Sequence, residues 1–291
     1  MSSPALDQLD ATAVLRALNL AKTGRIFSLD SSWWRAMPGH RVHPQFDVVT
    51  YRTPHGFRTQ QDHGFLNPPA NSVGYGFISE LIIGTAHTGT HMDALCHVVC
   101  GDNDEWFGGG TAAQSLGDFG AMDQDASTLP PVVTRGVLLD VPAALGVSYL
   151  DAGYPITAAD LERTAAAQGV EVQAGDAVLI RTGQMQFWPD MAAMAVAVDA
   201  GVCLDGARWL AKFRPSVVGS DNVAFECVPS YIDGDPQPVH VEMIRNNGIP
   251  IIEWIFLEEL AQARQYEFAF VCLPLTVKGA TGSMVRPIAI A

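Results

Sequence analysis

His87-Thr-Gly-Thr-His91-Met-Asp93-Ala-Leu-Cys-His97 places three of the chain's eight histidines within eleven residues. Even scatter would put well under one histidine there, so the clustering needs a reason. Imidazole nitrogen and carboxylate oxygen together suit zinc, manganese or iron(II). The spacing gives a physical picture. A strand ending near Ala86 leaves His87 at its tip, and Gly89 permits a tight turn. A helix starting at about Thr90 would carry His91 and Asp93 in its first turn, where free N–H groups favour a carboxylate. His97 follows six residues after His91, as a ligand or as a base beside the ligands. A lone histidine beside a strand is more often a hydrogen-bonded core residue. Three histidines, an aspartate and an internal glycine in this pattern favour a metal or catalytic site.

Outward from this cluster, metal sites often recruit a distant ligand, and His240 and Glu253 are the candidates. They flank a segment where a helix stops at Asn247-Gly248 and a strand follows. Glu253 lies inside the apolar run Ile249-Pro-Ile-Ile-Glu-Trp-Ile-Phe-Leu257. A glutamate there is costly to bury unless it is paired or bound to a cation; an exposed edge strand is the alternative. Strand end Gly219-Ser-Asp221-Asn222, with Glu226 after it, either supports the site through hydrogen bonds or forms a turn.

The rest of the chain alternates strands and helices. Apolar strands are expected at Arg25 to Leu29, Gly76 to Ala86, Arg135 to Val141, Asp176 to Arg181, Ser216 to Gly219, Ile249 to Trp254, Phe268 to Leu273 and Val285 to Ile290. Leu6, Leu9, Val14, Leu15 and Leu18 have helical spacing and predict an amphipathic N-terminal helix ending near Gly24. Thr157-Ala-Ala-Asp160 reads as a capping box opening a helix that stops at Gly169. Further helices are expected over Gly206 to Phe213, His240 to Asn247 and Leu257 to Ala263. Ser31 to Pro69 has little periodicity and reads as a long binding loop or lid. With no linker or repeat, the pattern is that of one α/β domain.

Composition excludes several classes. Among 291 residues 48% are hydrophobic and 16% charged, so the chain can bury a sizeable core. The net charge of −14 disfavours nucleic acid and anionic membranes as partners. The five cysteines form no CxxC pair and read as small buried hydrophobes in a reducing compartment. Met1 to Lys22 has no continuous apolar run, and no stretch is long enough to span a bilayer. A cytoplasmic location is expected. No GxSxG elbow and no GxxxxGK[ST] phosphate loop is present.

The chain resembles the metal-dependent cyclase family, which includes bacterial kynurenine formamidase, isatin hydrolase and trans-dienelactone hydrolase. The family signature HxGTHxDxPxH is matched by HTGTHMDALCH at His87 to His97, with Leu95 in place of the proline. A later signal matches His240, Gly248-Ile249 and Glu253, and the tail Gly279 to Ile290 resembles the family's closing loop and strand. The resemblance runs from about Arg25 to the C-terminus. It implies an α/β domain of the swivelling β/β/α type over residues 25–291, behind an N-terminal helical extension, 1–24. It implies that His87, His91 and Asp93 bind one divalent metal, zinc or manganese. Asp93, His240 and Glu253 would complete a second site where two metals are present, and His97 would be the acid/base. A homodimer or homotetramer is implied as well. Leu95 is not a ligand position, so its change is expected to alter local geometry or pocket shape rather than metal binding.

A bound divalent cation lowers the pKa of its water from near 16 toward roughly 7, and polarises a carbonyl. The expected activity is therefore hydrolysis of a cyclic or aryl amide, imide or lactone of a small-molecule substrate, with His97 shuttling the proton. Arylformamide hydrolysis is the alternative reaction. A metal-stabilised binding protein without turnover is the alternative of another class; its site would be closed by protein ligands. Trp33, Trp34 and Phe46, with Met37, could stack on a flat ring, and His40 and His43 could add polar contacts. Trp106 and Phe107 follow the cluster and are expected to line the same cavity.

Overall fold

Four parallel strands form the centre of a nine-stranded sheet: Val132–Asp140, Ala177–Arg181, Val217–Ser220 and Ile251–Glu253, adjacent in that order. Their sequences are near-continuous apolar runs because both faces are covered. Alternate residues serve opposite faces. Val137 and Leu139 join one core cluster with helix residues Leu161, Ala207 and Met243, while Leu138 joins the other with Phe27, Phe268 and Leu260. Antiparallel strands extend the sheet on both sides. Glu267–Cys272, Ile288–Ile290 and Ile26–Ser28 follow beyond Val132–Asp140. His91–Asp93 and then Gly282–Met284 follow beyond Ile251–Glu253. The structure is a computed structural model that describes residues 4–194 and 198–291. The first three residues of the expected extension 1–24 thus lie outside the described residues.

Local signals placed most elements. Helix Ala158–Gln168 starts at Thr157, whose hydroxyl accepts from Asp160 N while the Asp160 carboxylate accepts from Thr157 N, and it ends at Gly169 in the left-handed region. Helix Leu204–Phe213 and the helical turns over 238–246 lie where expected. Three expectations need correction. The N-terminal helix is split into Ala5–Gln8 and Ala11–Leu18, because Asp10 caps the second piece by accepting from Ala13 N. This segment packs on the body: Ala17 is fully buried and Arg16 reaches Asp176. Stretch 31–69 is not all loop. It holds strand Asp47–Arg52 and helix Pro54–Gln60, capped by Thr53. The strand expected over Gly76 to Ala86 is shorter, Ser79–Ile83, and stops before the histidine cluster, because it pairs with Asp47–Arg52 in a separate two-stranded ribbon. No helix of the described residues is long and apolar enough to cross a membrane.

The Gly219-Ser-Asp221-Asn222 group ties strand ends together. Asp221 is fully buried and accepts from Thr182 N, Thr182 Oγ1 and Gly183 N. Asn222 donates to Ala200 O. Burial pushes the Asp221 carboxyl up to about 6, against those hydrogen bonds and the charge of Arg181. A carboxyl raised above its unfolded value of about 3.9 holds extra proton in the folded state. Its contribution to stability is full below about pH 4 and is lost as pH rises through about 6. The Asp221→Asn variant lacks this loss, so the stability of the variant relative to wild type should improve steadily between pH 4 and 6.5 in urea unfolding. A difference that is flat with pH, or that falls, would contradict the assignment.

Candidate metal centre

His91–Asp93 is a strand, not the first turn of a helix. The alternation of a strand does what the helix was expected to do. His91 and Asp93 share one face, while Met92 between them is fully buried in the core behind. Pairing sets the rest: His91 lies directly opposite Glu253 on one side and Met284 on the other. Glu253 is therefore interior to the sheet, not on an exposed edge, and is buried beside the histidines. The turn before this strand uses Gly89 at φ +58°, and Thr90 anchors it by donating to Trp254 O at 2.6 Å.

These strands bring together His87, His91, Asp93, His97, His240 and Glu253. Asp93 Oδ1 is 2.8 Å from His87 Nδ1 and 3.6 Å from His91 Nε2. Its other oxygen, Oδ2, is 3.8 Å from His240 Nε2. Glu253 reaches His240 Nε2 at 3.1 Å and His91 Nε2 at 3.4 Å. One ligand atom each from His87, Asp93 and His97 lie within 4.8 Å of one another, and so do those of Asp93, His240 and Glu253. Asp93 belongs to both groups and joins them. His97 takes the place in the first group that the resemblance gave to His91. His91 Nε2 instead faces Asp93 and Glu253, aimed by its Nδ1, which donates to Gly89 O at 2.7 Å.

Residues around the ligands hold them in ligand-ready orientations. His240 Nδ1 meets the Glu226 carboxylate, which also accepts from His240 N, leaving Nε2 toward the centre. His87 Nε2 lies 2.9 Å from Thr281 Oγ1, and its ring stacks on His97 at 4.1 Å between centroids. Gly282 leaves room for that ring, since a Cβ there would lie 2.6 Å from His87 Cε1. Sequence spacing pointed to Glu226, but nothing local singled out Thr281 or Gly282.

The electrostatics fit a cation. Burial pushes His91 down to about 3 and His97 down to about 4, so both are neutral imidazoles at neutral pH, the form that binds metal or accepts a proton. For His87 and His240 burial acts the same way, but Asp93 on the first, and Glu226 with Glu253 on the second, outweigh it and raise them. Burial would raise Asp93, yet His97, His87 and His91 around it hold its carboxyl well below the usual range. Burial and the charge of Asp93 push Glu253 up to about 7, against its bond to His240. Asp93 Oδ2 is buried without a hydrogen-bond partner. Two buried carboxylates, neutral imidazoles and an orphaned oxygen are the donor chemistry of a divalent ion of the zinc or manganese type.

A cavity of about 190 Å³ opens onto these groups. Its walls include His40, His43, Val223, Ala224, Gln237 and Trp254. His43 stacks on His87 at 5.4 Å, within 12° of parallel. Trp34 packs edge-on against Trp188, and Trp188 against Trp254, so Trp34 reaches this wall through two rings. Trp33 donates to Thr88 O and braces the turn behind the site. Phe46, with Met37, lines a neighbouring cavity of about 200 Å³ that shares His40 and His43. Trp106 and Phe107 do not line the site. Trp106 is buried and donates to Asp123, and Phe107 is buried against Gly248. Proximity in sequence to His97 did not carry over into space because the chain leaves the site in an exposed turn over 101–104, closed by the Cys100–Glu105 bridge, and only then buries Trp106 and Phe107 in the core. Trp254, adjacent to Glu253 in the sequence, is the local signal that marks this wall.

A family model described as "Putative cyclase" matches residues 38–227. Cyclase-like protein 3 of Oryza sativa subsp. japonica is 28% identical over 217 residues, which cover 73% of this chain and 65% of that protein. A crystal structure described as a novel cyclase has a TM-score of 0.84 at 28% identity, covering 99% of this chain and 95% of the other. Isatin hydrolase A from Ralstonia solanacearum shares the fold with a TM-score of 0.66 at 19% identity, covering 91% of each chain. The mixed α/β fold with its curled sheet is thus that of known cyclase-family structures. Removing the support of His240 tests the geometry. Glu226→Ala should leave the fold intact and weaken zinc or manganese binding by about 10–100-fold in calorimetric titration. Unchanged affinity would remove Glu226 from the site.

Proposed function

Because the chain belongs to the cyclase family, we propose that it is a divalent-metal-dependent hydrolase that opens a cyclic or aryl amide, imide or lactone. The observation that carries this reading is Asp93: a fully buried carboxylate shared by two ligand groups, with one oxygen unpartnered and a cavity in front of it. A cavity bordered by the donor set leaves room for substrate, whereas a structural site is closed by protein ligands. His87, Asp93, His240 and Glu253 would hold zinc or manganese, with His91, whose Nε2 faces both Asp93 and Glu253, as a further ligand; His97, within ligand distance of His87 and Asp93, is assigned to the proton instead. A divalent ion there supplies an acidified water and polarisation of a carbonyl oxygen.

This chain's residues supply the remaining parts. His97, neutral at pH 7, accepts a proton from the attacking water and returns it to the leaving nitrogen or oxygen. Stacking on His87 fixes the orientation of its ring. Gly89 O and Glu226 keep His91 and His240 turned toward the reacting centre. Trp254, Val223 and Ala224 form an apolar wall that receives a flat ring and excludes water from the carbonyl face. The related isatin hydrolase acts, by its name, on isatin, a cyclic amide, which is therefore the first substrate to try.

The His97→Ala variant separates the acid/base role from that of a ligand. It should keep its full metal content by elemental analysis and lose about 10²–10⁴-fold in kcat on isatin or another turned-over cyclic amide. Loss of the metal would make His97 a ligand instead. Unchanged kcat would remove it from the chemistry.

A further inference from the structure

Cys203 and Cys227 lie side by side outside the ligand set. Val202 forms a parallel bridge with Glu226, so the residues that follow each of them, the two cysteines, are neighbours across it. Cys227 N donates to Val202 O and Cys203 N to Ile156 O, which fixes both backbones. Neighbouring strands run about 4.8 Å apart, and a disulfide bridges Cα atoms roughly 4.4–6.8 Å apart. Both are free thiols, Cys203 half-buried and Cys227 buried. They line one cavity of about 180 Å³, whose rim carries the exposed Tyr231. Cys96 and Cys272, by contrast, are sealed in the core. Burial pushes the Cys227 thiol up to about 12, and the neighbouring Cys203 adds to the rise. We propose that Cys203 and Cys227 are an oxidisable dithiol that a hydroperoxide converts to a disulfide, and that this bond acts on the metal centre through Glu226.

Peroxide is the only oxidant the reaction needs. Cys203, the more accessible thiol, attacks one peroxide oxygen and the O–O bond breaks. This leaves a sulfenic acid on Cys203 and releases water when the oxidant is hydrogen peroxide. The Cys227 sulfur then attacks the Cys203 sulfur. The S–O bond breaks, and the oxygen leaves as water with the Cys227 proton. Two electrons pass from the two thiols to the peroxide. A buried thiol held near 12 is a poor first nucleophile, which sets the order Cys203, then Cys227. Glu226 links this pair to the metal centre. It immediately precedes Cys227, accepts from Val239 N and His240 N, and meets His240 Nδ1. Val223 and Ala224 on the same segment wall the cavity before the ligands. Joining the sulfurs draws Cys227 toward Cys203 and carries Glu226 with it, so His240 loses part of its support. This coupling rests on the metal-centre reading; the disulfide does not.

Peptide mapping of the full chain tests this. The protein is reduced, exposed to hydrogen peroxide, alkylated while unfolded and digested with trypsin. Cys203 and Cys227 fall in separate peptides, 182–208 and 213–245, with no other cysteine in either. The two peptides should be found joined, with two of the five thiols lost and both restored by dithiothreitol. Cys227→Ser should instead hold a sulfenic acid on Cys203 that dimedone captures, and Cys203→Ser should keep Cys227 reduced. Five intact thiols in wild type, or a disulfide between any other pair, would overturn the proposal. Manganese titration reads the coupling. Affinity should fall by about 10-fold in the disulfide form and return on reduction. Unchanged affinity with the disulfide in place would overturn the link to His240. A chain that binds no manganese in either state contradicts the metal-centre reading alone, and the peptide map still decides the dithiol.

Discussion

Two carboxylates buried together, Asp93 and Glu253, are the constraint on which the site depends. Like charges in a low-dielectric interior cannot both remain ionised without compensation. The protein surrounds them with His87, His91, His97 and His240, and still leaves Asp93 Oδ2 without a partner. The carboxylates raise His87 and His240 above the usual imidazole range, which favours protons there that offset part of the charge. A divalent cation does the same with better geometry, and lets every imidazole serve through a lone pair. The site therefore trades folding stability for metal affinity, as buried ligand sets do.

The sheet makes this concentration of charge possible. Its parallel centre is apolar on both faces, and the charged groups sit where parallel pairing gives way to antiparallel pairing at Ile251–Glu253 and His91–Asp93. There the two strands place Glu253 and His91 side by side, and the next strand contributes Gly282, whose missing side chain admits the His87 ring. Arg181 illustrates the opposite arrangement. Its guanidinium is held by Asp140 and Glu258 in a closed ion-pair group with no orphaned oxygen, which is a structural device.

How much of this was legible depended on how local each signal is. The capping box at Thr157 and the stop at Gly169 lie within one helix, so residues 157–169 were readable directly. The ligand set was readable because its chemistry is unusual: three histidines beside an aspartate, and a glutamate within an apolar run. The strand at His91–Asp93 was not, because three residues are too short to show alternation and their partners lie about 160 and 190 residues downstream in the chain. Trp106 and Phe107 were misplaced for the same reason, since separation along the chain says little about depth in the fold. Of the ribbon, Ser79–Ile83 lies within the strand expected over Gly76 to Ala86, whereas Asp47–Arg52, exposed on both faces, has no period-two pattern to read.

The most direct test of the central claim is metal content. Purified wild type and its Asp93→Asn variant should be loaded with zinc or manganese, desalted and analysed for bound metal. Asp93 joins both ligand groups, so wild type should retain about one or two ions per chain and folded Asp93→Asn close to none. A folded wild type that takes up no ion, or an Asp93→Asn variant that keeps the full complement, would contradict the account.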